Sequence, residues 1–270
     1  MYKISLKKAC KIFSLSRSNC YNKVKNKNDT EIKTVLLKLA EEHIRWGFGK
    51  MRRAIKRQGY SWNHKRIRRV YCELGLNLRK KPKKRLPTRE KKSLLQPLAA
   101  NYCWSMDFMS DALEYGKKFR TFNVIDDFNR EALGIKVGCC LPSLVIINYL
   151  DDIARFRGYP AFIRVDNGPE FISNEFVNWA KRHQIIINYI QPGKPAQNGY
   201  IERFNRMYRE DVLDIYLFGS IDEAQEITDK WLDDYNQERP HESLKNLSPI
   251  EFLRAREGMP SLAQIGAVTQ

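Results

Sequence analysis

Residues 104–108 read WSMDF, and this stretch decides the fold because it places Asp107 inside a strand candidate. Two further acidic motifs follow it: DNGPEF at residues 166–171 and PGKPAQNGYIERFNR at residues 192–206. The 35 residues between Asp166 and Glu202 allow an aspartate at a strand end to face a glutamate on a following helix. Hard divalent cations, Mg²⁺ in particular, prefer such carboxylates together with phosphate oxygens. The three acids therefore predict metal-assisted phosphoryl transfer on nucleic acid.

Around these motifs, from residue 100 onward, strand and helix patterns alternate. The strand candidates are residues 102–109, 119–125, 131–137, 161–165 and 185–190, and the helix candidates are residues 143–157, 174–183, 199–214 and 222–235. Three strands, helix, strand, helix, strand, helix is the order of the ribonuclease-H-like fold. We predict an α/β core, a mixed five-stranded sheet with flanking helices, over residues 100–258.

The charge of +17 is concentrated before that core. Residues 1–100 hold 29 Lys and Arg against 6 Asp and Glu, a net charge of +23, whereas residues 101–270 carry −6. Such asymmetry separates a part that neutralises phosphates from a part that binds metal.

Small helices are predicted in the basic part. Residues 7–13 and 14–21 favour a helix-turn-helix with a cap at Ser14 or Ser16, and its expected buried face is Ala9, Ile12, Phe13, Leu15 and Tyr21. Further helices are expected at residues 35–40, 50–58 and 62–74, the last with Ile67, Val70, Tyr71 and Leu74 on one face. The predicted domains are a helix-turn-helix segment (1–28), a second helical DNA-binding domain (29–78), a basic linker (79–99), the core (100–258) and a tail (259–270).

Other classes of protein fit less well. The six cysteines are irregularly spaced without a Cys-x-x-Cys pair, and the four histidines are scattered, so we expect reduced thiols and no zinc finger. No apolar run reaches the roughly 18 residues of a membrane span, and no signal-peptide pattern opens the chain. We expect a cytoplasmic, nucleoid-associated protein.

The motifs together resemble the transposases of bacterial insertion sequences, specifically the second-frame (OrfB) proteins of the IS-three family. More distantly they resemble the catalytic core of retroviral integrases. The resemblance covers nearly the whole chain: residues 8–21, residues 46–76, the three acidic motifs, YNQERPHESL at 235–244 and SPIEF at 248–252. It implies a D-D-E polynucleotidyl transferase that nicks element ends and transfers the freed 3′-hydroxyl to target DNA.

The resemblance also implies roles for individual residues. Asp107 would bridge two Mg²⁺ ions, for which Mn²⁺ can substitute, while Asp166 and Glu202 would each bind one of them. The expected DNA contacts are Lys65, Arg66, Arg68, Arg69, Lys194, Gln197, Asn198, Asn205, Arg206 and Arg209. Without metal, repulsion among the three acids should raise at least one pKa. His241 is expected either to position DNA or to be structural.

Other acids compete for the ligand roles. Asp126 and Asp127 end a strand candidate, but we favour a turn or hydrogen-bonding role for them. Asp111 and Glu170 are expected to have structural or DNA-positioning roles.

The implied partners are double-stranded DNA, both terminal inverted repeats and target, further copies of the chain, and an upstream-frame (OrfA) protein. An alternative is a DNA-binding accessory or inhibitory protein that needs that upstream-frame partner. A ribonuclease H or junction resolvase would share the carboxylates but would not explain the basic helices.

Overall fold

The computed structural model describes residues 4–18, 28–78, 96–191 and 195–257. Its N-terminal helices are α1 (Leu6–Ile12), α2 (Thr30–Glu42), α3 (Phe48–Arg57) and α4 (His64–Glu73). No helix among the described residues is both long and apolar enough to cross a membrane.

Helices α2, α3 and α4, within residues 28–78, form the helical unit. Leu36, Ile55 and Val70 are fully buried at its centre. Asn63 starts α4, because its side chain accepts a hydrogen bond from the backbone N–H of Lys65. The helical unit therefore has an apolar core of its own.

The segment before the helical unit differs from its prediction. Only Cys10 of α1 is buried, whereas Ile12, Phe13 and Leu15 are exposed, Phe13 by 72%. A seven-residue helix presents a single narrow face, and the predicted partner Tyr21 lies outside the described residues. The predicted buried face is therefore wrong for these three residues.

The core contains one mixed sheet. Its strands are β1 (Cys103–Ala112), β2 (Lys118–Asp126), β3 (Ala132–Gly138), β4 (Phe162–Val165) and β5 (Ile186–Tyr189), in the order β3-β2-β1-β4-β5. Strand β2 is antiparallel to both β1 and β3, while β1, β4 and β5 are parallel. With the helices described next, this sheet confirms the predicted ribonuclease-H-like α/β class.

Helices cover both faces of the sheet: α5 (Ser143–Arg157), α6 (Pro169–Ile172), α7 (Asn174–Arg182), α8 (Gly199–Tyr208), α9 (Ile221–Gln237) and α10 (Pro249–Glu257). Side chains of a strand alternate between faces, so Trp104 and Met106 of β1 enter the core formed with α5 and α7. On the other face, Ile135 of β3 packs in the core that includes α8 and α9. Asp107 alternates with Met106, which directs it away from the α5 core.

Helix α8 ends earlier than predicted. The predicted helix 199–214 is regular only to Tyr208, and a π-helical turn, Arg209–Leu213, follows it. In that turn the N–H of Asp214 donates to the carbonyl of Arg209 at 2.8 Å. Helices α6 and α10 were not predicted.

The helical unit contacts the C-terminal part of the core. Arg57 of α3 donates to the carbonyl of Glu238 at 2.7 Å and forms an ion pair with Glu251 of α10. Arg53 lies 3.9 Å from Glu242. These contacts leave a cleft between the helical unit and α8.

Candidate active site

The candidate active site is centred on Asp107 of β1. Its nearest partner on β2 is Asn123, which lies directly opposite it in the antiparallel register. Asn205 of α8 joins both residues: its Nδ2 donates to Oδ2 of Asp107, and its Oδ1 accepts from Nδ2 of Asn123, each at 2.7 Å. The strand pair and the helix thus hold this carboxylate together.

The environment of Asp107 disfavours its charged form. The pKa of Asp107 is raised to about 6, mainly by burial and also by the charges of Asp166 and Glu202. Hydrogen bonds from the backbone N–H of Phe108, at 2.9 Å to Oδ1, and from Asn205 act in the opposite direction. The predicted rise of at least one pKa is confirmed in direction, although burial is its largest cause.

The other two acids are more exposed. Asp166 directly follows β4, and its Oδ1 accepts the N–H of Gly168 at 3.0 Å. Glu202 lies in the first turn of α8. Both act electrostatically on Asp107, so the chain brings the three predicted carboxylates into one region.

The donor chemistry of this region fits a hard divalent cation, because the three acids offer only oxygen atoms. Each oxygen of Asp107 accepts one protein hydrogen bond, which leaves a lone pair on each for a cation. In the part of the chain that the structure describes, no three His, Cys, Asp or Glu side chains are close enough to form a ready-made metal cage.

Asp126 and Asp127 have the structural role that was favoured for them. Asp126 accepts backbone N–H groups of Asn101 and Phe128, both at 2.8 Å. Asp127 is fully buried and pairs with Arg164 at 2.5 Å. Burial raises the pKa of both carboxyls.

Comparisons with known proteins give separate matches for the core and for the helical unit. Residues 97–195 and 183–249 match two families described as integrase core domain, and residues 27–85 match the HTH-like domain. The insertion element IS407 uncharacterized 31.7 kDa protein of Burkholderia multivorans is 39% identical over 250 residues, which cover 92% of this chain and 90% of that protein. The insertion element IS476 uncharacterized 39.2 kDa protein of Xanthomonas euvesicatoria is 37% identical over 250 residues, which cover 92% of this chain and 72% of that protein. The chain belongs to the insertion-sequence transposases.

The transposase also shares its fold with a retroviral protein. A chain of the simian T-cell lymphotropic virus intasome, solved by cryo-electron microscopy in complex with the PP2A regulatory subunit B56 gamma, aligns with a TM-score of 0.51. The alignment covers 83% of the transposase and 75% of that chain at 17% identity. This likeness supports the fold, and the insertion-element relatives support a role in DNA transposition.

Helix α4 of the transposase carries four predicted DNA contacts in different surroundings. Arg66 and Arg69 pair with Asp29 at 2.7 and 2.5 Å, and Arg69 also pairs with Glu73. These ion pairs hold α4 to the start of α2, so Arg66 and Arg69 have a structural partner that the sequence did not suggest. Lys65 and Arg68 are exposed and form no ion pair with any described carboxylate.

The predicted DNA contacts before and on α8 also differ in their exposure and hydrogen bonding. Lys194 lies outside the described residues, and Gln197 accepts the N–H of Gln191 at 3.0 Å. Asn198 is buried, whereas Arg206 is exposed. Of these four residues, Arg206 is the one with a described, solvent-exposed side chain that could contact a DNA backbone.

Asn205 and Arg209 differ from their predicted roles. Asn205 is only 8% exposed, and its amide is occupied by Asp107 and Asn123, so a direct DNA contact does not fit this position. Arg209 begins the π-helical turn and donates to Asp111 at 3.1 Å and to the carbonyl of Ser110 at 2.9 Å. It is therefore tied to the end of β1 and does not continue the face of α8.

The remaining polar candidates are mostly internal. Glu170 pairs with Arg120, whose guanidinium also lies 4.1 Å from the centre of the Phe108 ring. His241 contacts the ring of Tyr235, and burial lowers the pKa of His241 to about 3. A neutral, packed imidazole favours the structural alternative for His241.

Asn123 was missed by the sequence analysis. Its signal is a single amide between the apolar residues Phe122 and Val124, in the buried half of β2. Its Oδ1 is buried without a partner among the described residues. Such a buried amide is unfavourable unless it serves a neighbour, here Asn205.

Proposed function

We propose that the transposase uses Asp107, Asp166 and Glu202 to bind two Mg²⁺ ions, or Mn²⁺ in their place, and catalyses phosphoryl transfer on DNA. In the first reaction water attacks a phosphorus atom at an element end, the bond to the 3′-oxygen breaks, and a 3′-hydroxyl is freed. In the second, that hydroxyl attacks a target phosphodiester, and the target's own 3′-oxygen leaves as a hydroxyl.

One observation carries the proposal. Asp107 sits in a strand, held by Asn205 and the N–H of Phe108, where the charges of two other acids reach it. A partly buried carboxylate that feels the charges of two exposed carboxylates is unfavourable by itself and is stabilised by a cation.

The protein's own groups orient the site. Hydrogen bonds to both oxygens of Asp107 restrict the rotation of its carboxylate, and the N–H of Gly168 does the same for Asp166. Bound metal ions would activate the attacking oxygen and stabilise the leaving oxygen. One site serves both reactions, because only the nucleophile changes from water to a DNA hydroxyl.

The proposed partners are the terminal inverted repeats and the target DNA, with several copies of the chain acting together. An element has two ends, and a single site processes one end at a time, so joining both ends needs more than one copy. An upstream-frame (OrfA) protein stays a predicted partner, and a requirement for it belongs to the accessory alternative.

The test is an assay of the purified transposase on labelled duplexes that carry the element ends. With Mg²⁺ we expect strand-specific nicks that leave a 3′-hydroxyl, followed by joined products in the presence of target DNA. The matched controls are EDTA and a duplex with scrambled ends. Binding without nicks, under conditions where an added upstream-frame protein restores nicking, would favour the accessory alternative.

A further inference from the structure

A basic cleft separates the helical unit from the core. Its volume is about 520 Å³. One wall is formed by the start of α3 and the outer side of α4, with Lys50 and Arg68. The other is formed by α8, with Arg203, and by residues 239–243. The cleft thus reaches from the HTH-like part to the helix that carries Glu202.

The cleft carries more positive than negative charge. Among the described residues that line it, the basic side chains are Lys50, Arg53, Arg68, Arg203 and Arg239, and the one acid is Glu242. Glu242 lies near Arg53, and Arg239 pairs with Asp211 outside the cleft. Within the described ranges, Lys50, Arg68 and Arg203 form no ion pair, so three cations remain for a ligand.

Two basic groups of the cleft are shielded from water, Arg239 more than Lys50. Lys50 is half-buried, and burial together with the charge of Arg239 lowers its pKa to about 8. Arg239 is 6% exposed, and its Nε has no partner among the described residues. Like charges held together away from water repel one another, and a bound anion would relieve that repulsion.

We infer that this cleft binds the phosphate backbone of the DNA whose end reacts at Asp107, with Lys50, Arg68 and Arg203 as the contacts. The inference rests on the proposed function for the identity of that DNA. Cations on both walls match a chain of phosphates better than a single small anion, because the two walls belong to different parts of the fold. One DNA segment would then join the helical unit to α8 and fix the end relative to the carboxylates.

The test measures DNA affinity of the full chain against salt concentration by fluorescence anisotropy. Lys50→Gln, Arg68→Gln and Arg203→Gln are compared with Lys33→Gln and Arg182→Gln, which remove exposed cations outside the cleft. Each cleft variant should weaken binding and reduce the log–log salt slope by about 0.9, the value for one phosphate contact on duplex DNA. The control variants should keep the affinity and slope of the unsubstituted chain, and Arg68→Lys should restore most of the loss in Arg68→Gln.

Three outcomes would overturn the inference. The first is unchanged affinity and slope in all three cleft variants. The second is an equal loss in the control variants. The third is dependence on the cleft residues for binding of inorganic phosphate but not of DNA. If one cleft variant has a lower Tm, the inference is decided by the other two cleft variants and by Arg68→Lys.

The same samples separate this inference from the proposed function. If the unsubstituted chain nicks DNA and the cleft variants bind DNA normally, the cleft inference is wrong and the proposed function stands. Loss of affinity in the cleft variants, with no nicking by any sample, would support a phosphate-binding cleft and contradict the proposed reaction.

Discussion

The side-chain amide of Asn205 donates to Oδ2 of Asp107 at 2.7 Å, which links α8 to the centre of β1. Glu202 precedes Asn205 by one helical turn, so the same helix supplies a proposed ligand and a support for another. The orientation of Asp107 therefore depends on how α8 packs.

We expect Asn205→Ala to reduce nicking by about 10- to 100-fold, the range seen when a group that orients a metal ligand is removed. We would measure single-turnover nicking against Mg²⁺ concentration. The variant should bind the metal more weakly and so need a higher Mg²⁺ concentration for half-maximal nicking. The control is Gln225→Ala, which removes an amide that bridges α9 and β3 away from the site. Equal losses of activity in the two variants would assign Asn205 to stability alone.

Asp107→Asn, Asp166→Asn and Glu202→Gln should each abolish nicking and strand transfer while DNA affinity stays close to normal. Each substitution removes a negative charge with little change in volume. Asp152→Asn, in an exposed ion pair with Arg155, is the matched control and should stay active. Any of the three variants that transfers strands at a near-normal rate with Mg²⁺ cannot have lost a ligand.

DNA binding should weaken as pH rises through about 8, because Lys50 loses its proton there in the free protein. Bound phosphate favours the charged form, so the bound pKa is higher and affinity falls between the two values. The charges that act on Lys50 are the cations Arg239 and Arg203 and the anions Asp211 and Glu210. Anisotropy titrations from pH 7 to 9.5 should show this fall, and Lys50→Arg should abolish it. A fall that persists in Lys50→Arg comes from another group.

Asp29→Asn should destabilise the helical unit at neutral pH. Hydrogen bonds from Arg69 and Arg66 lower the pKa of Asp29, so their stabilisation is present above its ordinary pKa of 3.8 and is lost as pH falls through the lower folded value. Thermal unfolding should give a lower Tm than for Asp152→Asn at pH 7, and the difference should shrink in acid. An equal Tm for both variants at pH 7 would show that the ion pairs with Asp29 contribute nothing.

Arg209→Ala should lower strand transfer more than Mg²⁺ binding, on the order of 10- to 100-fold if the DNA end is misplaced. Because Arg209 also pairs with Asp111, the informative comparison is Asp111→Asn, which removes that ion pair, keeps the hydrogen bond from Arg209 to the carbonyl of Ser110 and should leave strand transfer intact. A similar loss of strand transfer in both variants would indicate that Arg209 acts through its link to β1.

Periodicity predicted those parts of the fold in which one face is buried. Helix α5 has the predicted bounds, and Ile67, Val70 and Tyr71 of α4 are buried as expected. Strand β1 extends to Ala112, three residues further than predicted, because Ala112 still pairs with Lys118 of β2. Pairing across the sheet is invisible to a pattern read along one strand.

The start of helix α10 carries a recognisable sequence signal. Ser248 and Glu251 form a capping box: the N–H of Ser248 donates to Glu251 at 2.8 Å, and the N–H of Glu251 donates to Oγ of Ser248 at 3.3 Å. Residues 248–252 are also one of the motifs that carry the family resemblance. The capping spacing alone predicts a helix start there.

The site was predictable only in part. The acids stand in recognisable motifs, but the roles of Asn205 and Arg66 depend on partners 98 and 37 residues away along the chain. An exposed arginine and one paired with an aspartate look alike in a sequence. Three-dimensional packing decides which cations remain available for DNA.

The sheet order also sets the sequence of events during synthesis of the chain. Strands β1, β2 and β3 pair with their neighbours along the chain, whereas the pairing of Trp104 with Ile163 must close a much longer loop. Closing long loops slows folding, so we expect the antiparallel part of the sheet to form before β4 joins it. Asn205 and Glu202 leave the ribosome later still, long after the buried cluster of the helical unit. A nascent chain would therefore be able to assemble its helical unit well before its proposed active site is complete.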